Sequence, residues 1–138
     1  MTIKTYKNAV PDEAAKIRQE VFVDEQGFVD EFDEYDCRST HLVMFDGDEP
    51  VATLRFYDEG DGSYHVGRVA VKKSRRGEGL GHIIMDEAAE AVKKLGGVQL
   101  TVGAQADKAG FYSHCGFERY GEDYFEQNYP HVNMKKIL

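Results

Sequence analysis

The chain has 138 residues, 17 Lys plus Arg against 25 Asp plus Glu, and a formal net charge of −8, with 41% hydrophobic and 12% aromatic residues. That length holds one domain with a proper core, and the composition excludes a disordered chain. The acidic balance argues against nucleic acid as a partner, because neutralising phosphates is what drives such binding.

No apolar run reaches the length of a membrane span, and the N-terminus (MTIKTYKNAVPDEAAK) lacks the apolar core of a signal peptide. Cys37 and Cys115 stand outside any CxxC spacing, so neither a disulfide scaffold nor a zinc site is expected. A cytoplasmic domain is the expectation. Its charge is uneven. Residues 24–36, DEQGFVDEFDEYD, hold seven acids and no base, while Lys72-Lys73-Ser74-Arg75-Arg76 puts four cations in five residues.

In chain order, TIKTYKN predicts a first strand. Pro11 opens a helix that carries Ala14, Ile17 and Val21 on one face to about residue 25. The acidic segment predicts a loop with a short second helix. HLVMF (41–45), VATLRFYD (51–58) and SYHVGRVAV (63–71) alternate with turns at 46–50 and 59–62, giving three antiparallel strands. Leu80, Ile83, Ile84, Ala88, Ala91, Val92 and Leu95 follow helical spacing, and Gly96-Gly97 ends that helix. VQLTV (98–102) predicts a strand, 104–115 a second long helix, and 117–121 and 131–137 two last strands around a tyrosine-rich turn at 124–130. The order β-α-α-β-β-β-α-β-α-β-β predicts an α/β domain with a mixed sheet.

The stretch RVAVKKSRRGEGLGHIIMDEA (68–88) joins an apolar strand, a cationic connection, three glycines and a helix. Glycines at a helix start free backbone N–H groups for an anion, and the helix dipole and arginines favour negative charge there. The pattern is a phosphate cradle. It is no P-loop, lacking GK[ST], and no Rossmann fingerprint, since His82 and Ile84 stand where small residues are needed.

Arg76-Gly77-Glu78-Gly79-Leu80-Gly81 matches the Q/R-x-x-G-x-G/A signature of the GNAT N-acetyltransferases, and the chain resembles that family over essentially its full length. AGFYSHCGF (109–117) resembles the family's later segment, in which a helix carrying FY ends at a GF turn. RQEVFVDEQ (18–26), GAQ (103–105) and the PHVNM ending are similar to the small ElaA/YjcF-like branch.

The resemblance implies a single-domain α/β fold with a mixed, mostly antiparallel sheet flanked by helices. It implies direct transfer of an acetyl group from acetyl-CoA, a cosubstrate, to a primary amine. In that family the backbone of the strand matching Val69-Ala70-Val71 binds the pantetheine arm and polarises the thioester carbonyl. Arg75, Arg76, Gly77, Gly79, Leu80 and Gly81 would surround the pyrophosphate. Tyr112 matches the tyrosine that protonates the departing thiolate, and Gln105 stands where many relatives carry an Asn that contacts the pantetheine.

An amine of pKa about 10 is mostly ammonium at neutral pH, so a base must act. Glu25, Glu31, Glu34, His41 and His131 are candidates, with Glu25 and His41 foremost because they flank the acidic segment. Cys115 beside His114 predicts a buried packing thiol rather than a nucleophile pair. The five histidines show no metal-ligand spacing.

The acidic segment is expected to border the acceptor groove and attract a cationic small-molecule or peptide amine by its field. A homodimer is a reasonable expectation. The alternative to an enzyme is a non-catalytic coenzyme A binding module of the same fold. An unrelated nucleotide-phosphate domain would leave AGFY–GF as coincidence.

Overall fold

The structure is a computed structural model that describes residues 1–28 and 32–138. β1 (Thr2–Lys7) leads to α1 (Asp12–Arg18), which continues without a break as a π-helical stretch (Gln19–Glu25). A 3-10 helix (Glu34–Arg38) precedes β2 (Thr40–Asp46), β3 (Glu49–Gly60) and β4 (Ser63–Val71). Then come α2 (Leu80–Lys94), β5 (Gln99–Gln105), α3 (Ala109–His114), β6 (Glu118–Glu126) and β7 (Tyr129–Ile137). The seven strands form one sheet in the order β1-β2-β3-β4-β5-β7-β6, and only β4 and β5 run parallel.

Strand alternation sorts the side chains onto two faces. Leu42, Met44, Leu54, Phe56, Val66, Leu100 and Val102 join Leu80, Ile84, Met85, Ala88 and Val92 of α2 in the main core. Each fully buried side chain of this size contributes about 1.5–3 kcal/mol of transfer free energy. On the opposite face Ala14 of α1 packs on Val43 and Phe45, while Ile17 and Val21 pack on Ala70. Among the described residues no helix is long and apolar enough to cross a membrane.

The β4–β5 ladder is short. It runs from Ser63↔Gln99 to Val66↔Val102 and stops, although both strands continue. β4 bulges there: Arg68 adopts φ 49°, and its register with β3 shifts opposite Thr53 to Arg55. Past this point β5 keeps its partner on the other side, from Gln99↔Ile137 to Gln105↔His131. The sheet therefore splits between β4 and β5.

Two expectations need correcting. Residues 104–115 are no long helix: β5 extends through Gln105, a 3-10 turn covers Ala106–Lys108, and α3 has six residues. Pairing with β7 overrides the helical pattern of that segment. The stretch 124–130 is mostly strand, because Gln127 (φ 49°) and Asn128 (φ 67°) alone make the hairpin turn. A bulge between Tyr120 and Tyr124 lets β6 resume after Gly121 (φ 69°).

Candidate active site

A cavity of about 510 Å³ fills the split between β4 and β5 and reaches the start of α2. Val69, Ala70 and Val71 form its β4 wall, and Gly77, Gly79 and Gly81 its far end. Gly79, the N-cap of α2, has φ 79°, a conformation open to glycine at little cost. The first turn of α2 contains no acid, so its unpaired N–H groups and positive dipole end meet the cavity without a competing side chain. A Cβ on Gly81 would come within 2.9 Å of the Phe111 ring. Glycine at that position lets α3 close on the helix start.

Tyr112 lines the same cavity, wedged between Phe111 (centroids 5.0 Å apart) and Phe117 (5.8 Å). Its hydroxyl has no hydrogen-bond partner among the described residues. Burial, aided by Cys115, pushes its pKa upward, so the phenol keeps its proton at neutral pH.

The cationic connection sits at the cavity mouth, and its two arginines are held differently. Arg75 donates to Asp46 (2.9 Å), Glu49 (3.0 Å) and Glu78 (3.1 Å), which ties the loop to the β2–β3 turn. Arg76 donates from Nε to the Val71 carbonyl (3.1 Å) and grips Glu25 with both terminal nitrogens, at 2.6 and 2.8 Å. Both arginines line the cavity, as does Lys108. Gln105 also lines it, donating to Gln26 (2.8 Å).

On the α1 side of the sheet a second, polar recess of about 270 Å³ abuts the first. Asp33, Tyr35, Tyr57, His65 and Tyr124 form its walls. Gly67, Arg68, Gly103 and Glu126 line both spaces, so the two meet at the split in the sheet.

Under the recess lies a network of arginines and aspartates. Arg18 (1% exposed) grips Asp36 with two bonds of 2.9 and 3.0 Å, and Arg55 (4% exposed) reaches the same carboxylate at 2.8 Å. Arg55 also bonds both oxygens of Asp33, which accepts from Arg68 at 3.2 Å. Burial opposes ionisation of Asp36, yet the two guanidinium groups outweigh it and bring its pKa down to about 2.

These contacts redraw the acidic segment. Glu25, Asp33 and Asp36 are all bound to arginines, so three of the seven acids are already matched within the protein. Asp30 and Glu31 lie outside the described residues.

The base candidates scatter. Glu25 faces Arg76, whose hydrogen bonds hold its pKa below the usual carboxylate range and make it a weak base. His41 is 1% exposed and lines neither space; its Nε2 meets the Asp36 carbonyl at 2.9 Å. Glu34 is exposed on the 3-10 helix, away from both spaces. His131 lines the larger cavity, donating from Nδ1 to the Tyr129 carbonyl (2.8 Å) with Nε2 3.6 Å from Glu126. Cys115 is buried, lies 3.5 Å from His82 Nδ1, and has its pKa raised to about 11 by burial with Asp86 adding. It is a packing thiol.

Sequence reasoning passed over His65, Thr101 and Glu126. For His65 and Thr101 a polar side chain in an otherwise apolar strand was the available signal; Glu126 lies on the polar strand β6 and had none.

An acetyltransferase (GNAT) domain model matches residues 6–138. The uncharacterized N-acetyltransferase YjcF of Bacillus subtilis is 34% identical over 127 residues, covering 90% of each chain. An acyl-CoA N-acyltransferase from Pseudomonas aeruginosa superposes with a TM-score of 0.87 at 28% identity, covering 99% of both chains. Escherichia coli ElaA gives 0.86 at 27%, covering 98% of both. A Bacillus subtilis acetyltransferase in complex with CoA shares the fold at a TM-score of 0.73 and 22% identity, covering 99% of this chain and 97% of that one. With the glycine turn, the split sheet and the FY helix in the same chain order, these matches place the chain in the GNAT acetyltransferase family.

Proposed function

We propose that the protein transfers an acetyl group from acetyl-CoA directly to a primary amine, in the cytoplasm, without a metal. The observation that carries the reading is the meeting of two spaces at the split in the sheet, through Gly67, Arg68, Gly103 and Glu126. One space has the features of a coenzyme cleft: a helix start facing inward, a glycine turn, and basic residues at its mouth. The other is small, polar and lined by aromatic rings, which suits an amine acceptor. CoA bound by a structural neighbour of this fold supports the assignment of the larger cavity.

The residues divide the work by chemistry. The edge of Val69-Ala70-Val71, left unpaired by β5 and with only its Val71 carbonyl taken by Arg76, offers backbone groups to an extended arm and a carbonyl, where fixed dipoles stabilise developing charge. Gly77, Gly79 and Gly81 with the α2 start hold phosphate, while Arg75 braces the loop and Arg76 supplies local positive charge. Tyr112, kept protonated by burial, donates its proton to the thiolate as the C–S bond breaks. The acceptor, an ammonium ion at neutral pH, enters on the Tyr57 and Glu126 side of the recess. Arg55 and Arg68 balance Asp33 there, so its cationic character is read by Glu126 and the tyrosine rings more than by the acidic segment.

Thermal melting with acetyl-CoA, coenzyme A and ATP tests the cleft, since a ligand of the folded state raises the melting temperature. Both coenzyme forms should stabilise and ATP should not; the reverse overturns the reading. Thiol release over a panel of primary amines then tests transfer. Coenzyme binding without thiol release on any amine leaves a coenzyme A binding module.

A further inference from the structure

The reaction needs a group to take a proton from the incoming ammonium. Glu25 is held by Arg76, His41 and Glu34 line neither space, and His131 lines only the larger one, so among the described residues a base that lines the acceptor recess itself has to be sought elsewhere. His65 lines it. Alternation on β4 sends Val66 to the core and His65 to the recess. The parallel register sets His65 beside Thr101, and the β3 register sets it beside Tyr57. Three consequences follow from that placement.

The first is a chain of hydrogen bonds. The Thr101 hydroxyl donates to Glu59 Oε1 at 2.6 Å, which commits its proton. Its oxygen is then left to accept from His65 Nδ1, 2.9 Å away. Glu59 Oε2 also stands 3.7 Å from the same nitrogen. This fixes the imidazole with its proton on Nδ1 and its lone pair on Nε2.

The second is direction. The Nε2 side of the ring is turned to Gly67, where a Cβ would lie 3.9 Å from Cδ2 and 4.0 Å from Nε2. Gly67 lines both spaces, so the basic nitrogen stands beside their junction, with Arg55 Nε 3.8 Å from the same Cβ position.

The third is the ionisation state. Tyr57 packs on the ring at 5.2 Å, and burial, the largest influence, lowers the pKa of His65. The charges facing it are Glu59 and Arg55 from β3, Arg68 from β4 and Glu126 from β6; the carboxylates raise the value and the arginines lower it. The imidazole is neutral at pH 7 and able to accept a proton.

We infer that His65 is the general base of the transfer, oriented by Thr101 and Glu59 as positioning residues. The inference rests on the acetyltransferase reading above. An ammonium in the recess gives one proton to His65 Nε2, and the amine's lone pair forms the C–N bond as the C–S bond breaks. The sulfur takes the Tyr112 proton, and the surplus proton on nitrogen restores the phenol. His65 releases its proton to solvent, so the products are the amide, coenzyme A and one proton.

The test compares the intact protein with His65→Gln and Thr101→Val, using thiol release with two kinds of amine. With amines protonated at neutral pH, His65→Gln should lower kcat/KM about 10²- to 10⁴-fold and leave the acetyl-CoA KM unchanged. With methoxyamine, already neutral at pH 7, its loss should stay within about 5-fold on the same reasoning, because no proton need be removed first. The unmodified protein should show an ascending pH limb below the usual imidazole value, and that limb should vanish in His65→Gln. Imidazole in the buffer should partly rescue His65→Ala.

Ring-nitrogen NMR should find the proton on Nδ1 of His65 in the unmodified protein and a mixture of forms in Thr101→Val. Equal losses with both amine types, an unmoved pH limb, or a proton on Nε2 would overturn the base while leaving the acetyltransferase reading intact. No turnover of any amine by the unmodified protein would overturn that reading, and the base with it.

Discussion

Asp36 is the point on which the α1 side of the fold depends. Asp36→Ala removes the acceptor of three guanidinium bonds and leaves the positive charge of Arg18, 1% exposed, without that carboxylate. Breaking a buried pair from one side costs about 3–5 kcal/mol. A chain of 138 residues unfolds with an entropy near 0.3 kcal/mol per degree, so the melting temperature should fall by about 10–17 °C at pH 7. The exposed Asp24, which accepts from Gln19 alone among the described residues, serves as control and should shift it by less than about 2 °C when changed to Ala.

The pH dependence carries a sign. A carboxylate whose pKa is depressed on folding, here from 3.8 to about 2, adds stability above pH 3.8 and loses it as pH falls through 2. Its share is about 2 kcal/mol at pH 7, and about 1 kcal/mol of that is gone at pH 3. The gap between the unmodified protein and Asp36→Ala should therefore narrow on acidification, measured by calorimetry at both pH values. A loss under 3 °C at pH 7, or a gap that ignores pH, would refute the view that these ion pairs hold the segment down.

Three further outcomes are expected. Tyr112→Phe should cut thiol release about 10²-fold or more while calorimetric binding of acetyl-CoA stays within twofold; undiminished turnover removes the phenol from the reaction. Gly103→Ala builds a methyl into the Tyr124 hydroxyl and should raise the acceptor KM while sparing acetyl-CoA binding, with Tyr124→Phe relieving the defect in the double variant. Iodoacetamide at pH 8 should label exposed Cys37 in the native protein and leave Cys115, with its thiol pKa near 11, untouched until denaturant is added, as read by mass spectrometry.

The larger cavity, which we assign to the coenzyme, was legible in the sequence because it is built locally. Strand, basic turn, glycines and helix start lie within residues 68–88, and their spacing alone brings them together. The recess was not, because β3, β4, β5 and β6 and the 3-10 segment each contribute one to three residues to it. The length of the β4–β5 ladder decides which of them meet.

The same distance hid the arginines. Arg18 and Arg55 bond Asp36 from 18 and 19 residues away, so a run of acids looked like free charge when three of the seven were already matched. The overlong helix at 104–115 has a related cause. Ala-Gln-Ala-Asp-Lys-Ala favours a helix locally, but β7 needs a partner strand as far as Gln105.

The bulge at Arg68 lets a single strand work in two rooms. Before it, β4 turns His65 to the polar recess; after it, Val69 to Val71 border the larger cavity. The inserted residue uncouples the two halves, since a side chain can change on one without altering which way the other faces. On the proposed reading, substitutions at Tyr35, Tyr57 or Tyr124 reshape the choice of amine while the donor side is inherited intact. A fold divided in this way is suited to acquiring new acceptors without relearning its donor.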